Sequence, residues 1–500
     1  MPPTHRRWLA LAVVLAGAFV VYLDIFIVNV AIPSLRHDLG ADEAQAQWVL
    51  AAYQLAYAVA LVSGGRIGDA IGRRRAFLLG AGGFTLASAL CGAAPSAEAL
   101  IAARALQGLA AALLFPQVLS IIQVAFPPAE RPRAFAVMGA VIGVASIAGQ
   151  LVGGALIALD PAGLGWRAVF LVNLPIGLGA IVAARRLVPE SRAPEARRLD
   201  LGGVALASAA LLLLLMALLE GREAGWPAWV WIALACVPPL GVAFAAWERR
   251  VAAAGGAPLF SLSVLEIVSL RRGLGLVLVF YPGLNAFFLM LAFYLQDGMG
   301  RTPLQSGLIY TPLALGFFVV SLTAPRLVRR LGPAALALGA AVAAAGYVAV
   351  VALVAAAGAT LPTAPLIAAL VAVGCGQALF LTPLFATVLQ GMPTASAGAA
   401  SGALSTVQQV GGAIGVAAIG ALFFGLLGSA PDRADYGRAF ATAAVANVAI
   451  ALAAALLALR LPRAEAEAGA ETVADGRSGG GAEAAPPARA AVTASARPSR

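Results

Sequence analysis

Runs of about twenty apolar residues recur along the chain, divided by short polar stretches rich in arginine, glycine and proline. A run of that length crosses a hydrocarbon core about 30 Å thick as an α-helix. Fourteen spans are predicted, at 9–33, 46–64, 76–95, 98–122, 134–158, 167–187, 201–219, 226–247, 273–296, 305–325, 333–357, 363–389, 399–427 and 438–460. Most connections are short, so successive helices should be antiparallel neighbours. The first run is too long for a signal-peptide core and shows no cleavage site, so it is expected to stay as a span. Residues 463–500 are rich in Ala, Gly, Pro, Glu, Ser and Arg without apolar periodicity, and are expected to form a disordered cytoplasmic tail.

Composition narrows the class. Apolar residues make up 61% of the chain and charged ones 11%, which excludes an ordinary soluble domain and predicts an all-α membrane protein in a lipid bilayer. The net charge of +10 would suit nucleic acid, but its placement argues against that partner. All 33 basic residues are arginine, and most fall in alternate loops on the N-terminal side. That is the positive-inside bias. It puts both termini and the loops around Arg73, Arg198 and Arg329 in the cytoplasm, and those around Asp42 and Asp432 outside. Without lysine there is no phosphate-binding Gly-x-x-x-x-Gly-Lys loop, which argues against ATP drive within the chain. His5 and His37 lie outside the spans, and Cys91, Cys236 and Cys375 are scattered, so no metal site, cofactor or catalytic group is expected.

The chain also repeats itself. Gly153-Gly154 in span five is echoed by Gly411-Gly412 in span thirteen, and Gly108 and Pro116 of span four by Gly376 and Pro383 of span twelve. The arginine-rich loop after span two is weakly echoed by Arg326, Arg329 and Arg330 after span ten. Two parallel six-helix halves follow, at 1–190 and 261–462, with two inserted helices at 191–260. Duplicated halves around a midplane site are a transporter architecture.

Two charges lie deep inside the apolar runs. Asp24 sits roughly 20 Å along the first helix, at about 1.5 Å per residue. An ionised carboxylate at the bilayer centre costs about 2.5–3.5 kcal/mol on the gentler scales, so an acid kept there points to function. The alternative is an acid reaching the outer surface through a water-filled cleft. In span four, Arg104, Gln107, Gly108 and Ala111 share one helical face, which suits contact with helices or water rather than lipid. Its alternative is snorkelling of Arg104 to the surface. By rise per residue the two charges lie at similar depth, so they could meet.

The stretch Gly65–Arg74 (GRIGDAIGRR) resembles the loop motif of the major facilitator superfamily, with Gly65, Asp69, Gly72, Arg73 and Arg74 matching and Ala70 in place of a common basic residue. Arg104-x-x-Gln107-Gly108 resembles that superfamily's proton-transfer motif. Gly149, Gly153 and Gly154 resemble its exporter motif, with Gln150 where proline is usual. Asp24, Asn29 and Pro33, together with Trp48, Tyr53, Trp166, Arg167, Asn173 and Pro175, resemble the fourteen-span drug/proton antiporter branch. The resemblance implies the superfamily's fold: two six-helix bundles plus two extra transmembrane helices. It implies a monomeric, plasma-membrane antiporter that exchanges protons for amphipathic drugs, antibiotics or metabolites. Asp24 and Arg104 would couple protons, and the loop motif would gate the cytoplasmic side. Candidates for the substrate cavity are Asn29, Gln54, Gln107, Gln150, Asn285, Tyr294, Gln377, Gln408 and Gln409, each equally able to serve as an interhelical hydrogen-bond partner. A lipid or lipid-precursor exporter, an uptake symporter and a non-transporting sensor stay open as alternatives.

Overall fold

The computed structural model describes residues 4–127, 130–192, 200–221, 224–256, 258–260, 262–332, 334–357, 360–389, 397–428 and 431–460. The expected tail at 463–500 and Arg198 lie outside the described residues. Among the described residues, thirteen helices are long and apolar enough to cross a membrane, or fourteen with the bent pair Glu43–Leu61 and Ser63–Ile71 counted as one span. The N-terminal set is α1 (Thr4–Leu39), α2 (Glu43–Ile71), α3 (Arg73–Gly92), α4 (Ala97–Ala125), α5 (Arg131–Leu159), α6 (Ala168–Leu171) and α7 (Asn173–Leu187). Then come α8 (Leu201–Glu220) and α9 (Ala228–Ala253). The last set is α10 (Val268–Phe293), α11 (Pro303–Leu331), α12 (Ala334–Ala357), α13 (Thr363–Leu389), α14 (Ala397–Leu427) and α15 (Arg433–Ala458).

Local chemistry explains the helix ends. Asp42 with Gln45, and Asp432 with Asp435, close capping boxes that satisfy backbone N–H groups at the starts of α2 and α15. One boundary differs from the expectation. Residues 65–71 were expected as loop, but α2 continues to Ile71. Glycine inside a helix costs about 1 kcal/mol against alanine, and here close packing offsets it. A β-carbon at Gly64 would lie 2.0 Å from the Ala112 carbonyl oxygen, and one at Gly68 would lie 1.9 Å from the Gln117 Oε1. Gln117 donates to the Gly64 carbonyl at 2.9 Å. These glycines bring α2 onto α4, and the connection to α3 shrinks to Gly72, at φ 109°.

The two sets pack alike. α1 lies on α5 and α7, α4 on α2 and α3, and α3 on α7. In the same pattern α10 lies on α14 and α15, α13 on α11 and α12, and α12 on α15. The sets meet along two matching seams, α5 with α11 and α2 with α14, and also through α1 and α10. α8 contacts α2 and α14, so it covers one seam only; α9 rests on α8.

Candidate functional site

Asp24 and Arg104 do meet. Both are buried, 0% and 1% exposed, and Arg104 Nη1 donates to Asp24 Oδ2. Asp24 Oδ1 accepts from Gln107 Nε2 at 2.8 Å and from Asn173 Nδ2 at 2.9 Å. Gln107 also donates to Ser88 Oγ at 2.8 Å, while its Oε1 accepts from Arg104 Nη1 at 2.6 Å. Arg104 Nε donates to the Val49 carbonyl at 3.0 Å, and the guanidinium lies 4.4 Å from the Tyr53 ring centre. Helices α1, α2, α3, α4 and α7 all contribute. The cation is paired, hydrogen-bonded and stacked at once, the condition under which a buried charge is tolerated. Neither surface alternative holds: Asp24 reaches no cleft, and Arg104 does not snorkel.

The C-terminal set has an uncharged echo. Gln377 on α13 donates to the Tyr347 hydroxyl on α12 at 2.9 Å, and Asn447 on α15 donates to the Gly283 carbonyl on α10 at 2.7 Å. The helices match those bearing Gln107, Ser88, Asn173 and Asp24. Charge is thus confined to one member of a duplicated network.

Between the sets lies a small void of about 10 Å³, lined by Ile25, Phe26, Asn29, Leu50, Gln54, Asn285, Phe288 and Val416. Asn29, Gln54 and Asn285 therefore come together, with room for about one water. A β-carbon at Gly412 would lie 2.1 Å from Asn285 Nδ2 and 2.9 Å from Gln54 Oε1, so glycine there lets α14 close on both amides. The other candidates sit elsewhere. Gln107 belongs to the Asp24 network and Gln377 to its echo. Gln408 donates to the Tyr281 hydroxyl at 2.9 Å, and Gln409 is half-buried on the same helix. Tyr294 stacks on Phe440 with ring centres 4.9 Å apart, inside the aromatic core. Gln150 is buried on α5, its amide without a hydrogen-bond partner among the described residues. The neighbouring glycines explain the exporter-like run: Gly149 and Gly153 admit α1, and Gly154 admits the start of α11.

At the other end, Arg73 Nη2 donates to Asp69 Oδ1 at 2.9 Å, as the spacing of four suggests. Sequence reasoning missed the second acid, Glu190, which follows α7. Its carboxylate accepts from the Arg74 backbone N–H at 3.1 Å and lies 3.8 Å and 3.9 Å from the Arg74 and Arg75 side chains. Gly72 is pressed against it; a β-carbon there would lie 2.5 Å from Glu190 Oε1. The arginine-rich loop after span six holds three acids, Glu190, Glu195 and Asp200, so no signal in the sequence singled out Glu190. Ser88 gave none either, since a small hydroxyl residue in an apolar run is common.

Residues 14–416 match the sequence profile of the Major Facilitator Superfamily. The chain is 42% identical over 430 residues to a Streptomyces coelicolor protein named as a probable actinorhodin transporter, covering 86% of this chain and 74% of that one. It is 39% identical over 441 residues to a puromycin resistance protein of Streptomyces alboniger, covering 87% and 85%. Among solved structures, a POT family transporter in complex with 5-aminolevulinic acid aligns with TM-score 0.66 over 91% of this chain and 96% of that one. At 13% identity that likeness shows the fold alone. The profile runs from the first third of α1 into α14, and the two relatives match over most of their own lengths: the chain belongs to the Major Facilitator Superfamily.

Proposed function

We propose that this protein is a proton-coupled exporter of drug-sized amphipathic molecules, with Asp24 as the proton carrier. The observation that carries the proposal is the hydrogen-bond set of Asp24. A carboxylate offers about four lone-pair sites, and Arg104, Gln107 and Asn173 occupy three of them. Burying an ion pair brings little stability, since apolar residues in its place are often neutral or stabilising by about 1–4 kcal/mol. The pair is therefore better explained by a working role. Protonation of Asp24 cancels the carboxylate charge, so the ion pair is lost and Arg104, still cationic, faces a neutral carboxyl that accepts more weakly. Arg104 keeps Gln107 Oε1 and the Val49 carbonyl as acceptors. The change thus loosens α1 from α4 and passes to α2, which borders the opposite half at α14.

Cargo would bind where Asn29, Gln54 and Asn285 converge, in a state in which α2 and α14 part. Relatives named for antibiotic transport, resistance and export support this class of cargo. We further propose a monomer in the plasma membrane with both termini cytoplasmic, its cytoplasmic side closed through Asp69, Arg73 and Glu190. The test is efflux from proteoliposomes under an imposed pH gradient. Asp24→Asn should abolish accumulation against a gradient while retaining some binding, and Asp24→Glu should keep part of the rate. Uphill transport by Asp24→Asn at the wild-type rate would place the proton site elsewhere.

A further inference from the structure

We propose that the space between the inserted helices and the α2–α14 seam is a second, lateral binding site for the uncharged aromatic or alkyl part of the cargo. This rests on the export reading above and adds to it a route from the lipid phase. A cavity of about 240 Å³ lies there, bounded by all four helices and by the segment after α9. Ala58, Val59, Ala210, Phe244, Phe260 and Thr406 are among its walls. Cavities of about 150 Å³ with apolar walls hold benzene, so this one has room for about two fused rings.

The gap is built rather than slack. Along the same seam, nearer the Asp42 end, Leu215 and Leu219 of α8 fill the space against Ala51, Ala413 and Ala417. Further back α8 presents Ala207 and Ala210 beside Leu211, and with two alanines in that turn the space stays open. The floor is pinned. Leu259 N–H donates to Asp200 Oδ2 at 3.1 Å, and Phe260 N–H donates to Glu248 Oε2 at 2.8 Å. The Trp247 indole donates to Asp200 Oδ1 at 2.7 Å, and Arg66 of α2 donates to the Pro258 carbonyl. Both carboxylates are buried, so a fixed polar frame behind the wall keeps two apolar side chains in position.

Three features select the occupant. α8 and α9 are mostly exposed to their surroundings, which for a spanning pair is hydrocarbon, so charged ligands are excluded. Thr406 Oγ1 is buried and has no hydrogen-bond partner among the described residues, leaving one donor for a carbonyl or ether oxygen. Ala58 stands one turn from Gln54 on the same face of α2, so the cavity adjoins the central pocket along one seam.

The probe is prodan, a naphthalene ketone with two fused rings and one acceptor, titrated against the full chain in lipid nanodiscs with empty discs as background. Saturable binding is expected. Ala210→Phe and Val59→Phe, which fill the space from different helices, should each weaken it at least tenfold. Thr406→Val should weaken it about fivefold, the loss of one hydrogen bond. Thermal melting checks each variant, and the smaller Ala207→Val serves where a phenylalanine prevents folding. Binding that survives the filling variants in folded protein overturns the site. So does an equal loss from Asn29→Ala or Asn285→Ala, which would put the dye in the central pocket. Nanodiscs with brominated acyl chains test for a resident lipid: added quenching of a Phe244→Trp variant, whose indole replaces a ring already in the wall, that prodan does not relieve also overturns it. Prodan binding sensitive to the filling variants in a protein that fails to transport would leave this site standing and remove the export reading.

Discussion

Arg104 and Gln107 approach Asp24 from α4, while Asn173 approaches from α7, so the carboxylate ties three helices at one depth. Taking away a single partner should be costly for different reasons. Asn173→Leu removes one donor and leaves Ser88 and Asp24 facing an apolar group. A buried group left short of a bond costs about 1–3 kcal/mol, and a lowered melting temperature in detergent would register it. Arg104→Gln strands the carboxylate, and breaking a buried pair costs about 3–5 kcal/mol. Adding Asp24→Asn to Arg104→Gln should recover part of that loss, because neither charge then remains. Strictly additive losses in that double-mutant cycle would mean the two groups do not interact energetically. The pairing itself was legible in the sequence: only two charges lie deep in apolar runs, and rise per residue sets them at one depth. Ser88, Asn173 and the stacking of Tyr53 were not legible as a cluster. Uncharged polar residues occur in many spans, and only the packing of α3 and α7 against α1 and α4 selects these ones.

Among the helices, the α2–α4 crossing depends on the absence of side chains more than on any contact. Gly64 and Gly108 each face backbone across it; β-carbons there would lie 2.0 Å from the Ala112 carbonyl oxygen and 2.3 Å from the Tyr53 carbonyl oxygen. Gly64→Ala should therefore destabilise by about 1–3 kcal/mol, the usual cost of overpacking. Gly82 on α3 is the control, since nothing lies within 4 Å of a β-carbon there. Gly82→Ala should be neutral or stabilising by up to about 1 kcal/mol through helix propensity. Equal losses from both would deny that close approach is the cause. At the end of α2, Glu190→Gln cuts the side-chain link to Arg74 and Arg75. The group is partly exposed, so stability should fall by no more than about 1 kcal/mol. Transport should fall further, as it should for Asp69→Asn, if this end of α2 moves in the cycle. Full transport by both variants would make the motif purely topological. The sequence pattern located α2 but ended it seven residues early. Glycine marks turns and close helix contacts alike, and only the partner helix tells which applies.

Taken whole, the bundle has two chemically different ends. Contacts at one end join the arginine-rich segments: Arg66 with Pro258, Arg73 N–H with the Ser191 carbonyl at 2.9 Å, Arg272 with the Arg460 carbonyl at 3.1 Å, and Arg7 with Glu130 at 3.7 Å. The opposite end joins Arg167 with Asp38 at 2.6 Å, Gln45 with Glu98 at 2.6 Å, and His37 with Asp297 at 3.3 Å. The arginine bias read along the chain is thus a bias between two faces of one bundle. The twin halves were legible too, from paired glycines at matching places. The seat of α8 was not, because a helix apolar on nearly every side gives no periodicity to say which seam it covers. The proposed orientation rests on this bias, with the arginine-rich end set on the cytoplasmic side. Single cysteines test it once Cys91, Cys236 and Cys375 are replaced. Asp42 and Asp432 are poor positions, since each closes a capping box whose loss costs about 1 kcal/mol. Pro161 and Ala224 are exposed beyond α5 and α8, and Ala254 is exposed at the arginine-rich end after α9. An impermeant maleimide on intact cells should label Pro161→Cys and Ala224→Cys, and should reach Ala254→Cys only after permeabilisation. Labelling of Ala254→Cys in sealed cells would invert the molecule, and Asp69 and Glu190 would then face outward, where they could not close a cytoplasmic gate.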